Sequence, residues 1–342
     1  MNFSNTLISW YQQNQRNLPW RNTQNPYYIW LSEIILQQTR VAQGLAYYQS
    51  FTDLFPTIQD LAEADEALVL KTWQGLGYYS RARNLHATAK NIQLNFDGIF
   101  PNTYKDILQL KGIGPYTAAA IASFAYKEPI SVVDGNVFRV FARYFGIHDD
   151  ISQAKSRKIF QELGNDLIDS AKPDVFNQAL MDFGATLCKP KNPDCDICPF
   201  QETCYAYRNN VVNQLPVKNK VLTVKKRFFD YVVIENDGEI YINKRLEKDI
   251  WNSLYEFPLT ETEKPHSLED TKKILAQQYK VSEVDIIQLT EPIKHKLSHQ
   301  LLHITFWKID KNIELPFEKV PLDVAKEYAF PIVIWNHIVS KF

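Results

Sequence analysis

Residues 110–121 read Leu-Lys-Gly-Ile-Gly-Pro-Tyr-Thr-Ala-Ala-Ala-Ile, so two glycines and a proline separate the end of one helical pattern from the start of the next. Gly112 and Gly114 would let the backbone approach a ligand closely, and the following helix N-terminus offers free N–H groups to an anion such as a phosphate. The segment therefore predicts a helix–hairpin–helix that grips a DNA backbone without reading its sequence. A plain turn between two helices is the alternative.

On both sides of this hairpin, the first half of the chain has the apolar spacing of amphipathic helices. The predicted helices cover residues 30–48, 64–73, 80–96, 117–126, 137–145 and 176–187. From about residue 228 the pattern changes to short β-branched and aromatic runs, at 231–234, 239–243 and 303–309. We expect a mainly α protein with a helical domain over 1–210, a basic linker over 211–227 and a smaller α+β domain over 228–342.

Charge and hydropathy limit the class of protein. Among 342 residues, 38 Lys and Arg balance 39 Asp and Glu, so any nucleic-acid footprint must be local. Two groups of basic residues are candidate footprints. One comprises Lys218, Lys220, Lys225, Lys226 and Arg227, and the other comprises Arg81, Arg83 and Lys90. Each could instead be a solvated linker or helix face. The sequence has no apolar run long enough for a membrane span and no signal-peptide pattern at its start, so we expect a cytoplasmic protein.

All cysteines of the chain lie in one proline-containing stretch, the loop 188–204, with the spacing of Cys188, Cys195, Cys198 and Cys204. Four closely spaced thiolates indicate a closed metal site, and they suit structural zinc and an iron–sulfur cluster equally well. Disulfides are a weaker interpretation, because a cytoplasmic chain of this length would be kept reduced.

Two acidic residues stand in contrasting environments. Glu33 lies within an apolar helical stretch, where poor solvation favours the neutral carboxyl, and such a group can act as a general acid. Asp134 follows an apolar run and precedes Gly135, which predicts a helix N-cap whose dipole favours the ionised form. An acid and an anion are what glycosidic cleavage needs. Read singly, each residue could be structural, as a salt-bridged Glu and a capping Asp.

Taken together, six motifs closely resemble the MutY-type adenine DNA glycosylases and occur in that family's order over most of residues 15–205. They are Leu18-Pro19-Trp20-Arg21, Ser32-Glu33 with 36–40, Gly75 to Arg81, the hairpin 111–117, Val133 to Val137 and the cysteine spacing. The resemblance implies the two-lobed fold of the helix–hairpin–helix glycosylases and a 4Fe-4S cluster on the four cysteines. It also implies that the substrate is double-stranded DNA with adenine opposite 8-oxoguanine or guanine, bound by a monomer that is nucleoid-associated when on DNA.

The same resemblance assigns roles to individual residues. Glu33 would protonate a ring nitrogen of adenine, and Asp134, oriented by Asn136, would stabilise the sugar cation or trap it before water completes hydrolysis. Tyr116 would lie beside the sugar. The residues implied to hold the flipped adenine or enter the duplex are Trp20, Arg21, Leu36, Gln38, Thr39, Leu76 and Tyr78.

Tyr116 also separates this chain from the related endonuclease III type. Those enzymes have a lysine at this hairpin position, and its amine attacks the sugar as a Schiff base. Without that nucleophile we expect a monofunctional glycosylase that leaves the DNA strand intact.

Residues 228–342 resemble, more weakly, the Nudix-like domain of the same family, above all over 244–258. No Arg-Glu-x-x-Glu-Glu cluster follows Pro258, so we expect recognition and not hydrolysis. In the family, a short aromatic–Ser/Thr–His loop checks the base opposite adenine. The matching residues are Leu297, Ser298 and His299, where leucine replaces the aromatic residue.

Other interpretations remain open at this level. His295, His299 and His303 recur every four residues, but the β-rich flanks argue against a helical metal site. Rival functions are a glycosylase for thymine or oxidised pyrimidines, a Nudix hydrolase with a helical DNA-binding module, and a non-enzymatic, metal-stabilised DNA-binding protein in which Glu33 and Asp134 are structural.

Overall fold

A computed structural model describes residues 2–219 and 223–341 and divides them into two compact units. The first unit contains residues 2–64 and 84–219, and the second contains residues 65–83 and 223–341. Lys220, which belongs to the predicted basic stretch, lies outside the described residues. No helix in the described part of the chain is long and apolar enough to cross a membrane.

Helices account for nearly all regular structure up to residue 208, as the helical periodicity predicted. They are α1 (Phe3–Asn14), α2 (Pro26–Ile35), α3 (Val41–Leu54), α4 (Ile58–Glu63), α5 (Glu66–Thr72), α6 (Ser80–Asn95), α7 (Tyr104–Ile107), α8 (Pro115–Tyr126), α9 (Gly135–Phe145), α10 (Ala154–Leu167), α11 (Pro173–Asp182) and α12 (Tyr205–Arg208). Short 3-10 turns cover Pro19–Arg21 and Cys195–Ile197, and one π-turn covers Phe183–Leu187.

A large aromatic core holds α1, α9, α10 and α11 together. Phe141, Phe160 and Phe176 are fully buried in it, and Phe3 and Phe200 stack with ring centroids 4.9 Å apart. Burying an aromatic side chain contributes about 1.5–3 kcal/mol relative to leaving it exposed, so this core fixes the helices from which the site residues project.

The predicted helix over 30–48 is wrong in one respect, because the chain forms two helices there. α2 ends at Ile35, and α3 begins only at Val41. Between them Gln38 has a left-handed φ of 56°, which no α-helix continues through. Apolar residues on both helices face the core, so their spacing hides the break. Gly44 of α3 packs so tightly on this turn that an added Cβ would lie 2.7 Å from Leu36 Cδ2.

The second unit contains an α+β fold, as predicted from the change of pattern near residue 228. Its elements are β1 (Lys225–Val233), β2 (Glu235–Asn236), β3 (Glu239–Lys244), β4 (Tyr255–Glu256), β5 (Leu259–Thr262), α13 (Leu268–Tyr279), β6 (Ile286–Gln288), β7 (Ile293–Lys296), β8 (Gln300–Ile309), β9 (Glu318–Pro321), α14 (Leu322–Ala325) and α15 (Ile332–Lys341).

Two sheets are formed by the described strands of this unit. In the larger sheet the order is β5-β1-β8-β6, with β1 parallel to β8 and β7 antiparallel to β8. The smaller sheet has the order β2-β3-β4, with β9 also paired to β3. The β7–β8 hairpin closes on Leu297 N–H, which donates to Gln300 O at 2.8 Å, and this turn presents Ser298 and His299.

Residues 65–83 lie in the helical half of the sequence, before the 110–121 hairpin, yet they pack within the second unit. Lys71 Nζ donates to the Tyr328 carbonyl at 3.1 Å and lies 3.9 Å from the centre of the Trp335 ring. Gln74 Oε1 accepts from Phe330 N–H at 3.0 Å. The second unit is therefore built from two separate stretches of chain.

Candidate active site

A cavity of about 440 Å³ in the first unit gathers most of the predicted catalytic and adenine-binding residues. We call it the first-unit cavity. Its size is typical of ligand pockets. The predicted residues that line it are Trp20, Arg21, Glu33, Leu36, Gln38, Thr39, Tyr116, Asp134 and Asn136.

Glu33 projects into this cavity from the last turn of α2 and is buried. Burial raises the pKa of its carboxyl to about 7, because the charged form loses hydration. A hydrogen bond with Tyr116 and the charge of Arg21 oppose the rise, and the charge of Asp134 adds to it. The neutral form expected from the sequence is therefore populated near neutral pH.

Asp134 is the N-cap of α9, as predicted. Its Oδ1 accepts from the backbone N–H groups of Asn136 and Val137, both at 2.8 Å, and its Oδ2 accepts from Asn136 Nδ2 at 2.7 Å. Burial nevertheless raises the pKa of Asp134 above its ordinary 3.8, outweighing these hydrogen bonds. The sequence predicted that the helix N-terminus would lower the pKa of Asp134. That direction is wrong, since the sequence does not reveal how deeply the cap is buried.

Asn136 is itself positioned by a hydrogen bond from Arg139. Arg139 Nη2 donates to Asn136 Oδ1 at 2.8 Å and to the Gly184 carbonyl at 2.7 Å. Gly184 leaves no room for a side chain, because an added Cβ would lie 2.6 Å from Asn136 Cβ. The Asp134 carboxylate is thus positioned by a connected set of contacts and not by the cap alone.

Tyr116 lies in the first turn of α8, directly after the hairpin. Burial and the nearby Glu33 and Asp134 carboxyls raise its pKa well above 10, so the phenol stays protonated and can donate to Glu33. Its hydroxyl also lies 3.7 Å from Met181 Sδ.

Asp182 is a component of the site that the sequence analysis missed. It is fully buried and accepts two bonds from Arg21, at 2.6 Å each, and a third from Arg16 Nε at 2.7 Å. These bonds lower the pKa of Asp182 although burial acts against them. An acidic residue inside the apolar pattern 176–187 was the available signal, of the same kind that singled out Glu33.

The hairpin has the backbone that its glycines suggested. Gly112 has a φ of 76°, and a Cβ there would lie 2.7 Å from Asn84 Cβ. Gly114 is the N-cap of α8, and a Cβ built on it would meet nothing within 4 Å. Open space beside a helix N-terminus allows close approach of an anion.

The four cysteines converge on a second, small cavity of the first unit, with about 30 Å³ of free volume. All four are free thiols, so the disulfide interpretation is wrong for this loop. Arg143 lies behind them, with its Nη1 3.4 Å from Cys188 Sγ. Burial raises the pKa of Cys198 to about 12, so a bound cation would be needed to hold it as a thiolate.

Predicted recognition residues of the second unit also meet at one cavity, of about 470 Å³, which we call the second-unit cavity. Leu76, Tyr78, Leu297, Ser298 and His299 line it. Tyr78 is half exposed, and its hydroxyl forms a hydrogen bond with Ser298 Oγ.

Arg227 of the predicted basic stretch and the three histidines that recur every four residues form neither a basic surface nor a helical metal site. Arg227 is buried between Glu261 and Asp249, so it is no part of an exposed basic footprint. His295 and His303 lie on strands β7 and β8, and His299 lies in the turn between them. Over residues 2–219 and 223–341, no three His, Cys, Asp or Glu side chains form a group that could hold one metal ion.

Each half of the chain matches a known protein family. Residues 31–166 match the HhH-GPD superfamily base excision DNA repair proteins, and residues 230–338 match the NUDIX domain. In the helical part, the chain is similar to a thermostable thymine-DNA glycosylase of known structure, with a TM-score of 0.57 and 31% identity over 60% of this chain and 95% of that one.

Two relatives match most of this chain, and so cover both its helical part and its NUDIX part. The chain is 37% identical over 320 residues to an adenine DNA glycosylase of Buchnera aphidicola subsp. Baizongia pistaciae, covering 92% of this chain and 88% of the relative. It is 38% identical over 312 residues to the one from Buchnera aphidicola subsp. Schizaphis graminum, covering 88% and 86%. Identity at this level over most of both chains means that this chain belongs to the adenine DNA glycosylases, a family of DNA glycosylases of base excision repair.

Proposed function

We propose that this enzyme removes adenine paired with 8-oxoguanine or guanine by hydrolysing the N-glycosidic bond, after the adenine has flipped out of the duplex. The observation that carries the proposal is the convergence of Glu33, Tyr116 and Asp134 in one cavity that can accept a base. The two carboxyls differ in role because they differ in their hydrogen-bond partners.

Glu33 is the acid. With a pKa of about 7, about half of the Glu33 carboxyls carry a proton at neutral pH. It delivers that proton to a ring nitrogen of adenine, so the electron pair of the breaking glycosidic bond is accepted by a neutral leaving base. The hydrogen bond with Tyr116 fixes the carboxyl for this transfer.

Asp134 supports the sugar. As the base leaves, the deoxyribose becomes a cation, and an adjacent carboxylate stabilises it. Three donated hydrogen bonds favour the ionised Asp134, and the growing positive charge favours it further. Water then adds to the sugar carbon and gives a proton to the Glu33 carboxylate, which leaves an abasic site and restores the acid.

The DNA strand stays intact in this mechanism. Tyr116 offers no amine, and no lysine is among the described residues that line the first-unit cavity. Schiff-base formation, which strand cleavage by β-elimination requires, therefore lacks a nucleophile.

The thiols of the cysteine loop fit a 4Fe-4S cluster. Four thiols line one cavity, which matches the four cysteine ligands of such a cluster. A cluster offers a separate iron to each thiolate. Cys188, Cys195, Cys198 and Cys204 would hold it, and it would supply a rigid cross-link for the loop.

The second-unit cavity would read the base opposite adenine. Tyr78 offers an exposed ring for stacking, and Ser298 and His299 offer hydrogen-bonding groups on the β7–β8 turn. The contact between Tyr78 and Ser298 supports a joint role, since these residues are 220 positions apart in the chain.

Substitution of Ser298 and His299 by alanine together is expected to lower discrimination between 8-oxoguanine and guanine. Loss of one good polar contact to a base edge costs about 1–3 kcal/mol, so the preference should fall by about 5- to 160-fold. The maximal rate of adenine release should change little, because the catalytic residues are untouched. Ser340→Ala, on the exposed face of α15, is the matched control; an unchanged preference in the double variant would refute the assignment.

The proposed function is tested by single-turnover base release from duplexes with adenine opposite 8-oxoguanine, guanine or thymine, and from a further duplex with a thymine–guanine pair. We expect fast release from the first two, abasic sites that alkali converts into breaks, and no breaks without alkali. Release of thymine from a thymine–guanine pair in place of adenine would support the rival inside the superfamily, and breaks without alkali would contradict the monofunctional mechanism.

A further inference from the structure

Left-handed backbone at non-glycine residues is uncommon, and here it sorts into three groups. In the described part of the chain, four of ten such residues are Asn or Asp, which tolerate this conformation, and two are the helix C-caps Lys127 and Lys280. The remaining four have neither explanation: Gln38, Tyr78, Trp251 and Ser253.

Each of these four lies in or beside one of the two cavities. Gln38 lines the first-unit cavity, Tyr78 and Trp251 line the second-unit cavity, and Ser253 is two residues beyond Trp251. A strained backbone at a bulky residue costs on the order of 1–3 kcal/mol and persists where the surroundings enforce it, often at functional sites. Gln38 and Tyr78 already have proposed DNA contacts, whereas Trp251 has no role.

We infer that Trp251 is a specificity-determining residue of the second-unit cavity, forming an apolar wall against the purine opposite adenine. The inference rests on the proposed function, because it takes that cavity as the reader of the opposite base. The cavity would then use three segments to read the opposite base: the segment of Tyr78, the turn of Ser298, and the 249–253 loop, which carries Trp251.

Buried arginines hold the 249–253 loop in this conformation. Arg245 Nε donates to the Ile250 carbonyl at 3.1 Å, and the Arg245 carbonyl accepts from Ser253 N–H at 2.7 Å. Asp249 accepts two bonds from Arg227, at 2.9 and 2.7 Å, and one from Arg245 at 3.0 Å. A loop fixed at this many points keeps the Trp251 backbone left-handed in the absence of a ligand.

The Trp251 ring lies where it can shape the cavity. Its ring centroid is 5.8 Å from that of His295 on β7 and 6.1 Å from that of Phe229 on β1. His295 precedes the Ser298 turn by three residues, so the indole supports the strand that presents the polar recognition group. Only 9% of Trp251 is exposed, which suits a wall of the cavity and not a residue that inserts into DNA.

The test compares Trp251→Phe with Trp335→Phe, a matched change in α15 outside the second-unit cavity. For wild type and both variants, adenine release is measured opposite 8-oxoguanine and opposite guanine, at limiting and at saturating enzyme. Trp251→Phe removes one of the two fused rings of the indole, and an aromatic contact contributes about 0.5–1.5 kcal/mol, so the preference measured at limiting enzyme should fall by about two- to thirteen-fold. The rate at saturating enzyme should stay within about two-fold, since chemistry is untouched.

The outcomes separate the inference from the function on which it rests. A wild-type enzyme without preference for 8-oxoguanine would overturn both. A wild-type preference that Trp251→Phe retains, or that Trp335→Phe loses equally, would overturn the inference alone. Should Trp251→Phe fail to fold, Trp251→Tyr gives the same test with a side chain that is longer by one hydroxyl group.

Discussion

Replacing Glu33 by glutamine should slow adenine release by about 100- to 10,000-fold, the usual contribution of a positioned general acid. Glutamine keeps the size of the side chain and can still accept from Tyr116, so the cavity should keep its shape. What is lost is the transferable proton. Single-turnover release from a duplex with adenine opposite 8-oxoguanine measures the effect, and binding of that duplex should be retained.

The pH profile identifies the proton more directly than the rate does. Because burial raises the pKa of Glu33 to about 7, the acid form is depleted above that pH, and the rate should fall about ten-fold per pH unit there. The rate should also fall in acid, since Asp134 must be ionised and its pKa is raised above 3.8. Glu33→Gln should lose the alkaline limb; retention of that limb would contradict the assignment of Glu33 as the acid.

The same carboxyl should make the wild-type fold weaker at high pH. Its pKa rises from 4.5 in the unfolded chain to about 7 in the folded protein, so the folded state binds more protons between these values. Stability is fully present below pH 4.5 and is lost as pH rises through 7, by about 3 kcal/mol. Glu33→Gln should therefore melt at a higher temperature than wild type at pH 8.5, with the exposed Glu63→Gln as control. An equal pH dependence of melting in wild type and Glu33→Gln would contradict this expectation.

Local patterns in the sequence were enough to find Glu33 and the Asp134 cap, because each depends on its immediate neighbours. An acidic residue inside an apolar helix must be buried if the helix is packed, and an Asp before Gly-Asn-Val meets the N–H groups of the next turn in any fold. The helical and α+β parts followed from periodicity for the same reason.

Properties that depend on distant parts of the chain could not be predicted. The bonds of Asp182 to Arg21 join residues 161 positions apart, and the contact of Tyr78 with Ser298 joins residues 220 apart. The direction of the pKa shift at Asp134 depends on burial of its carboxyl in the folded chain, which the local sequence does not reveal. The break at Gln38 escaped prediction because apolar spacing continues on both sides of the turn.

Arg143 is the residue whose loss should most damage the cysteine loop. It is buried on α9, and it donates to the carbonyls of Lys189 and Pro190 inside the loop, at 2.8 and 3.1 Å. Its Nε also donates to the carbonyls of Val212 and Leu215, at 3.0 and 3.1 Å. One guanidinium thus satisfies four carbonyls, two inside the cysteine loop and two after it, and ties both stretches to the helical core.

Arg143→Met should lower stability by about 3–5 kcal/mol. Methionine can fill much of the volume of the side chain, but it leaves buried carbonyl groups without donors, and such groups are costly. Thermal unfolding followed by circular dichroism, together with the iron content and visible absorbance of the purified protein, would measure the effect. We expect a lower melting temperature and substoichiometric iron.

Two further variants separate the geometry of Arg143 from its charge. Arg143→Lys keeps the charge but replaces a planar fork by one ammonium, which cannot reach four carbonyls at once, so it should give an intermediate loss. Arg157→Met, on the exposed face of α10, should match wild type in melting and iron. If Arg143→Met kept the wild-type melting temperature with full iron, the loop would have to be held by its cysteines alone. Full stability with no iron would instead show that Arg143 serves the metal site and not the fold.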